Sequence, residues 1–121
     1  MSRRRDENFS IGNRSSFNRS DRVGDQEGRD YYQFKLRRSS RVRIKVTNRE
    51  FVFGPSIEIR LEKRGSSDRI RRIALPLGTA VIDRRFSRGT YQLRVDSDGE
   101  SVPYRLTYRR RSDDDDFDFF S

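Results

Sequence analysis

The chain has 121 residues, 31% hydrophobic and 39% charged, with a formal net charge of +9 and a pI near 10.7. That is enough for one domain with a thin core, helped by nine Phe and five Tyr, whose rings each bury a large area. The absence of Cys and His excludes disulfides, thiolate and imidazole metal sites, and every Cys- or His-based catalytic arrangement.

Residues 1–22 are mostly Arg, Ser and Asn, with Phe9, Ile11 and Phe17 as isolated apolar residues. Such a segment reads as a flexible basic arm. It is either a solvated tail or a docking arm that uses Phe9, Ile11 and Phe17 as anchors and its Arg residues as electrostatic guides. No apolar stretch follows the N-terminal Arg cluster, and no run approaches the length of a membrane span. The expectation is therefore a cytoplasmic protein; the alternative is a secreted accessory domain whose signal has been removed.

From Val23 the pattern changes. Gly24 and Gly28 mark a turn-rich entry, and Tyr32, Phe34 and Leu36 then alternate with Gln33 and Lys35. Val42, Ile44 and Val46 alternate with Arg41, Arg43 and Lys45, and Ile57, Ile59 and Leu61 with Glu58 and Arg60. Strict period two is the mark of a half-buried strand. Phe51-Val52-Phe53 reads as a short strand or a plug over one end of the core. Arg64-Gly65-Ser66-Ser67-Asp68 reads as a hairpin turn, followed by short strands around Ile70–Ile73 and Thr79–Asp83.

Gly89-Thr90-Tyr91-Gln92-Leu93-Arg94-Val95 is the clearest strand, and Tyr104, Leu106 and Tyr108 alternate with Arg105, Thr107 and Arg109 in the last. These two are expected to form an antiparallel pair. No segment carries a helical period. Short strands with turn signals every ~8–12 residues predict an all-β fold, a small antiparallel β-sandwich of jelly-roll type over residues 23–111. Residues 112–121 form an acidic-aromatic tail, Asp113 to Asp116 and then Phe117-Asp118-Phe119-Phe120. It reads as a solubilising tail that folds back on the basic body, or as a docking peptide for a partner.

The pieces Val23-Gly24, Asp30-Tyr31-Tyr32-Gln33-Phe34, Val42-Arg43-Ile44-Lys45-Val46, Ile57-Glu58-Ile59-Arg60-Leu61, Gly89 to Val95 and Tyr104 to Tyr108, in this order and spacing, resemble the bacterial pre-peptidase C-terminal (PPC) domain. Stand-alone forms of that domain suggest a cyanobacterial source. The resemblance implies a β-sandwich that serves as a non-catalytic accessory binding module. Its members are usually secreted, acidic and often calcium-bound, and this chain departs from them in its basic charge.

No cofactor is expected. Calcium takes six to eight oxygen ligands, and the dense acid clusters (Asp96, Asp98 and Glu100; Asp25, Glu27 and Asp30; Asp113 to Asp116) read as solvated turns. No phosphate-binding loop, dinucleotide fingerprint or catalytic set is present, so the protein is read as a non-enzyme. Arg43, Lys45, Arg94, Arg105 and Arg109 fall on the polar side of their strands and would make one basic face if those strands share a sheet. Arg favours planar, bidentate pairing with carboxylate or phosphate. The leading expectation is an interaction or linker module that binds acidic protein partners in a multi-subunit complex, a photosynthetic assembly such as the phycobilisome being a candidate. Its contacts would be the Arg face and the two tails, with Phe117, Phe119 and Phe120 as the C-terminal anchors. The alternative is a nucleic-acid-binding module with an acidic regulatory tail.

Overall fold

The structure, a computed structural model, describes residues 6–25, 28–50, 54–97 and 99–112. They form nine strands: β1 (Glu7–Gly12), β2 (Ser16–Val23), β3 (Asp30–Leu36), β4 (Ser40–Asn48), β5 (Ile57–Lys63), β6 (Arg69–Ala74), β7 (Thr79–Phe86), β8 (Gly89–Ser97) and β9 (Val102–Ser112). The strands build two sheets, ordered β1-β3-β8-β5-β6 and β2-β9-β4-β7. All ladders are antiparallel except β1–β3, which is parallel. The all-β sandwich expected from the alternation is the architecture found.

β3, β4, β5, β8 and β9 bury the residues their period assigns. Tyr32, Phe34, Leu36, Val42, Ile44, Val46, Ile57, Ile59, Leu61, Leu93, Val95, Tyr104, Leu106 and Tyr108 meet in one core between the sheets. Stacked and tilted rings run through it, Phe34 lying 5.2 Å from Tyr91 and 5.0 Å from Tyr108 between centroids.

Three expectations are corrected. First, β8 and β9 do not pair. β8 lies between β3 and β5 in one sheet, and β9 between β2 and β4 in the other. The connection between them crosses the ~10 Å separating two packed sheets. Apolar faces on both strands point at the same core from opposite sides, and alternation is blind to that difference.

Second, the N-terminal arm is part of the sandwich, so the boundary drawn at residue 23 falls inside the fold. β1 adds to β3 from Glu7↔Asp30 onward, and β2 runs the whole register from Ser16↔Arg109 to Val23↔Val102 on β9. Ile11 is 2% exposed and belongs to the core. Phe9 and Phe17 pack on Tyr32 at 5.1 and 6.0 Å between centroids. The three apolar residues read as possible docking anchors thus face their own domain.

Third, Arg94 lies in the five-stranded sheet and not with Arg43, Lys45, Arg105 and Arg109, which lie in the other.

Gly24, where β2 ends, has φ +100°, and a Cβ there would meet Ser97 Oγ at 2.0 Å and the Glu100 carbonyl oxygen at 2.4 Å. Neither the conformation nor the backbone contact can be relieved by a side-chain rotation. Gly24→Ala is expected to destabilise the fold by about 2–4 kcal/mol, read as a lowered urea midpoint at unchanged slope. An unchanged midpoint would refute the tight packing of this turn.

Candidate functional site

The two outer faces of the sandwich carry opposite charge logic. On the five-stranded sheet, acids and bases alternate and pair. Glu58 accepts from Arg60 at 3.4 Å, Arg94 at 3.2 Å and Arg71 at 3.0 Å. Arg69 reaches Glu62 at 3.4 Å, and Arg29 reaches Asp96 at 2.9 Å. Arg94 is therefore held in a surface ion-pair network, which corrects its reading as part of an open basic face.

The four-stranded sheet presents rows set by its register. Arg111, Arg41 and Arg85 lie in line across β9, β4 and β7; Ser16, Arg109, Arg43 and Asp83 form the next row; Asn18, Thr107, Lys45 and Val81 the third; Ser20, Arg105, Thr47 and Thr79 the fourth. Arg43, Lys45, Arg105 and Arg109 are all exposed. Among the described residues, Asp83 is the one acid in these rows, and it takes Arg41 at 3.0 Å.

Arg43 stands directly opposite Arg109, and Arg41 opposite Arg111. Two unit charges ~6 Å apart in water repel by about 0.7 kcal/mol, and like charges directly opposite weaken a sheet. The face therefore carries an electrostatic cost to its own fold. Its surface offers flat guanidinium groups among short hydroxyl and amide side chains, a geometry suited to carboxylates or phosphates. Among the described residues, none in these four rows is aromatic.

A second feature lies under β1 and β2. Asp30 is 1% exposed, and the Tyr104 hydroxyl donates to its carboxylate. Because the Tyr104 proton is spent on Asp30, the Tyr32 hydroxyl donates in turn to Tyr104 across 2.5 Å. Burial pushes Asp30 up from the ordinary 3.8 to about 7, against the opposing effect of the Tyr104 hydrogen bond, and nearby Asp21 and Glu7 add to the rise. Burial also raises both tyrosines well above the phenol range.

The carboxylates of Glu7, Asp21 and Asp30 lie within 4.8 Å of one another, a grouping different from the acid clusters visible along the sequence. Asp21 already takes Arg19 at 2.7 Å and the Arg22 amide at 2.8 Å, and Arg19 lies 3.8 Å over the Phe9 ring. A metal here would displace these partners, and three carboxylates fall short of a calcium shell. The donor set fits a hydrogen-bonded core cluster better than an ion site. Glu27, Asp98, Asp113 to Asp116, Phe51 to Phe53 and Phe117, Phe119 and Phe120 lie outside the described residues.

The fold has counterparts among solved structures. The pre-peptidase C-terminal domain of a Bacillus anthracis collagenase superposes with a TM-score of 0.68 at 19% identity, covering 89% of this chain and 100% of that domain. This chain carries the PPC fold. PliG, a periplasmic inhibitor of g-type lysozyme from Aeromonas hydrophila, matches at a TM-score of 0.59 and 12% identity, over 88% of this chain and 100% of its own. A mitogen from Yersinia pseudotuberculosis matches at 0.54 and 10% identity, over 78% and 84%. No protein-family model matches the chain, and no curated protein matches its sequence. Against the PPC fold, the residues that sequence reasoning missed are the buried Asp30–Tyr104–Tyr32 chain and the Glu7–Asp21 carboxylates beside it. An Asp opening a strand immediately before Tyr31-Tyr32 was the available signal. No helix among the described residues is long and apolar enough to cross a membrane.

Proposed function

We propose that the protein is a non-catalytic binding module that docks its four-stranded sheet on an acidic protein surface within a larger assembly. The observation that carries this reading is the contrast between the two outer faces. On one sheet the Arg71, Arg60 and Arg94 row closes on the Glu58 carboxylate, while on the other Arg43 stands against Arg109 across β4 and β9, and Asp83, the one acid in those rows among the described residues, is taken by Arg41. An acidic partner turns that repulsion into affinity and gives fast, salt-sensitive association.

The structural neighbours support an accessory role: one is a domain attached to a collagenase, another an inhibitor of a lysozyme. A photosynthetic complex such as the phycobilisome is one assembly with the required acidic surface. Nucleic acid offers the same charge, but single-strand binding draws on outward aromatic rings, and the rows of this face have none among the described residues.

The test is capture from native extract after nuclease treatment, with the unaltered chain and with Arg43→Gln/Arg109→Gln. Loss of two central Arg contacts is expected to weaken capture by ~30-fold or more, while the melting temperature holds or rises as the Arg–Arg repulsion is removed. Partners that vanish on nuclease treatment alone would assign the face to nucleic acid and sink this reading.

A further inference from the structure

We infer that the outer edge of β7 takes an extended acidic segment of a partner protein as an added strand, with an apolar side chain of that segment entering the groove between the two sheets. This goes beyond the binding reading above and concerns the edge of the sheet in place of its outer face, so either can fail alone.

β7 ends the four-stranded sheet, and no strand among the described residues pairs with its outer side. Its register on β4 is unbroken from Thr79↔Thr47 to Phe86↔Ser40, whereas β1, an edge of the other sheet, shifts register between Ser10 and Gly12. A bulge blunts an edge, while a regular one leaves alternate N–H and C=O groups turned outward for another chain. Beside β7 lies a groove of about 680 Å³, which opens between the β5–β6 hairpin and the β7–β8 turn. A volume of this size is typical of a binding site. Ile70, Phe86 and Tyr91 supply its apolar lining. Phe86 is partly buried and meets Tyr91 edge-on at 5.4 Å.

Charge selects the class of strand. Ala80 and Ile82 are buried, and Phe86 continues their period against the core. Arg84 stands in that series where an apolar residue is due, opposite the buried Val42, yet it is exposed. It lines the groove together with Lys63 and Arg64. Two acids also line it, Glu62, which is paired with Arg69 at 3.4 Å, and Asp68. A charge at an inward position of an edge strand turns away purely apolar strands. It also turns away a second copy of β7, which would bring its own Arg84 to the same edge. A strand added beside β7 turns every second side chain toward the groove. Acids and a ring sharing that face answer both features: carboxylates pair with the guanidinium groups of Arg64 and Arg84, and the ring settles over Ile70 and Phe86. Main-chain hydrogen bonds to β7 supply the rest of the affinity.

The test is titration of the isotope-labelled full-length chain with a synthetic Thr-Glu-Thr-Phe-Thr-Glu-Thr peptide, which carries two acids and a ring on one face, followed by amide NMR. Shifts are expected at Arg64, Ile70 and Ile82 to Phe86, with slowed amide exchange at alternate residues of β7. Replacing both peptide Glu by Lys, or the Phe by Ser, is expected to weaken binding by ~10-fold or more. N-methylation of one alternating set of peptide amides is expected to do the same, and of the other set to do little, as only one set faces β7. None of these changes touches the fold. Arg64→Gln/Arg84→Gln is expected to weaken binding by ~10-fold or more at an unchanged melting temperature, while Arg43→Gln/Arg109→Gln on the outer face leaves it as it was. No shift at ~5 mM peptide, where even a Kd in the millimolar range registers, shifts centred on Arg43 and Arg109, or equal binding of the two N-methylated peptides would each overturn the inference.

Discussion

A chain that begins at residue 23 is expected not to fold cooperatively. The truncation removes one edge strand from each sheet, β1 from β3 and β2 from the full length of its ladder on β9. It takes away the buried Ile11 and the two rings that cover Tyr32, and it uncovers Asp30 and its hydroxyl chain. Truncating a buried Ile alone costs about 2–5 kcal/mol, whereas a domain of this size holds only ~5–15 kcal/mol in total. Losing two strands and the Ile together exceeds that margin. Thermal unfolding followed by near-ultraviolet circular dichroism is the check, with Ile11→Ala as the graded variant, expected to lower stability by about 2–4 kcal/mol. A 23–121 fragment that melts sharply near the temperature of the whole chain would refute the structural role of the N-terminal strands.

Raising the pH through neutrality is expected to weaken the fold, and Asp30→Asn to abolish that dependence. Asp30 titrates at about 7 in the fold against an ordinary 3.8. Between those values the folded chain holds a proton that the unfolded chain has released. Stability therefore falls as the pH rises, by up to about 1.4 kcal/mol for each pH unit. The contribution is full below pH 4, lost through pH 7 and flat above it, with a ceiling of about 4 kcal/mol. Glu7 and Asp21 add to the cost of the charge on Asp30, while Arg19 and the Tyr104 hydroxyl ease it. An Asn side chain keeps an acceptor for Tyr104 and never ionises. Urea midpoints of both chains at pH 5, 6, 7 and 8 are the measurement, and parallel curves would refute a buried, proton-holding Asp30.

The strands from Asp30 onward were legible because each alternates apolar and polar residues strictly, as in Val42-Arg43-Ile44-Lys45-Val46 and Tyr91-Gln92-Leu93. Which sheet each strand joins was not legible, since Leu93 and Leu106 face one core from opposite layers. β1 and β2 escaped notice because edge strands bury little. Ser16, Asn18, Ser20 and Arg22 face water, and only Val23 of β2 is fully buried. The residual signal was Phe17 and Val23 at even spacing with Arg19 and Asp21 between them, and Asp21 there is an ion-pair partner and not a solvent-facing acid. The basic face was half legible: Arg43, Lys45, Arg105 and Arg109 share it, but the pairing of Arg94 with Glu58 depends on which strands adjoin β8.

The position of β9 has a consequence for the order of folding. It lies between β2 and β4 yet is the last of the nine described strands. Residues 16–23 and 40–48 must therefore wait for residues 102–112 before either finds its backbone partner. The four-stranded sheet therefore closes only after residues 102–112 have been made. Pairings this distant in sequence place the domain among slow folders, on the scale of milliseconds to seconds. Until closure, β2 and β4 present open strand edges to every neighbouring chain. The Arg residues along β4 then act as gatekeepers by charge repulsion, so the surface proposed to recruit a partner in the folded protein also keeps the unfinished one from recruiting itself.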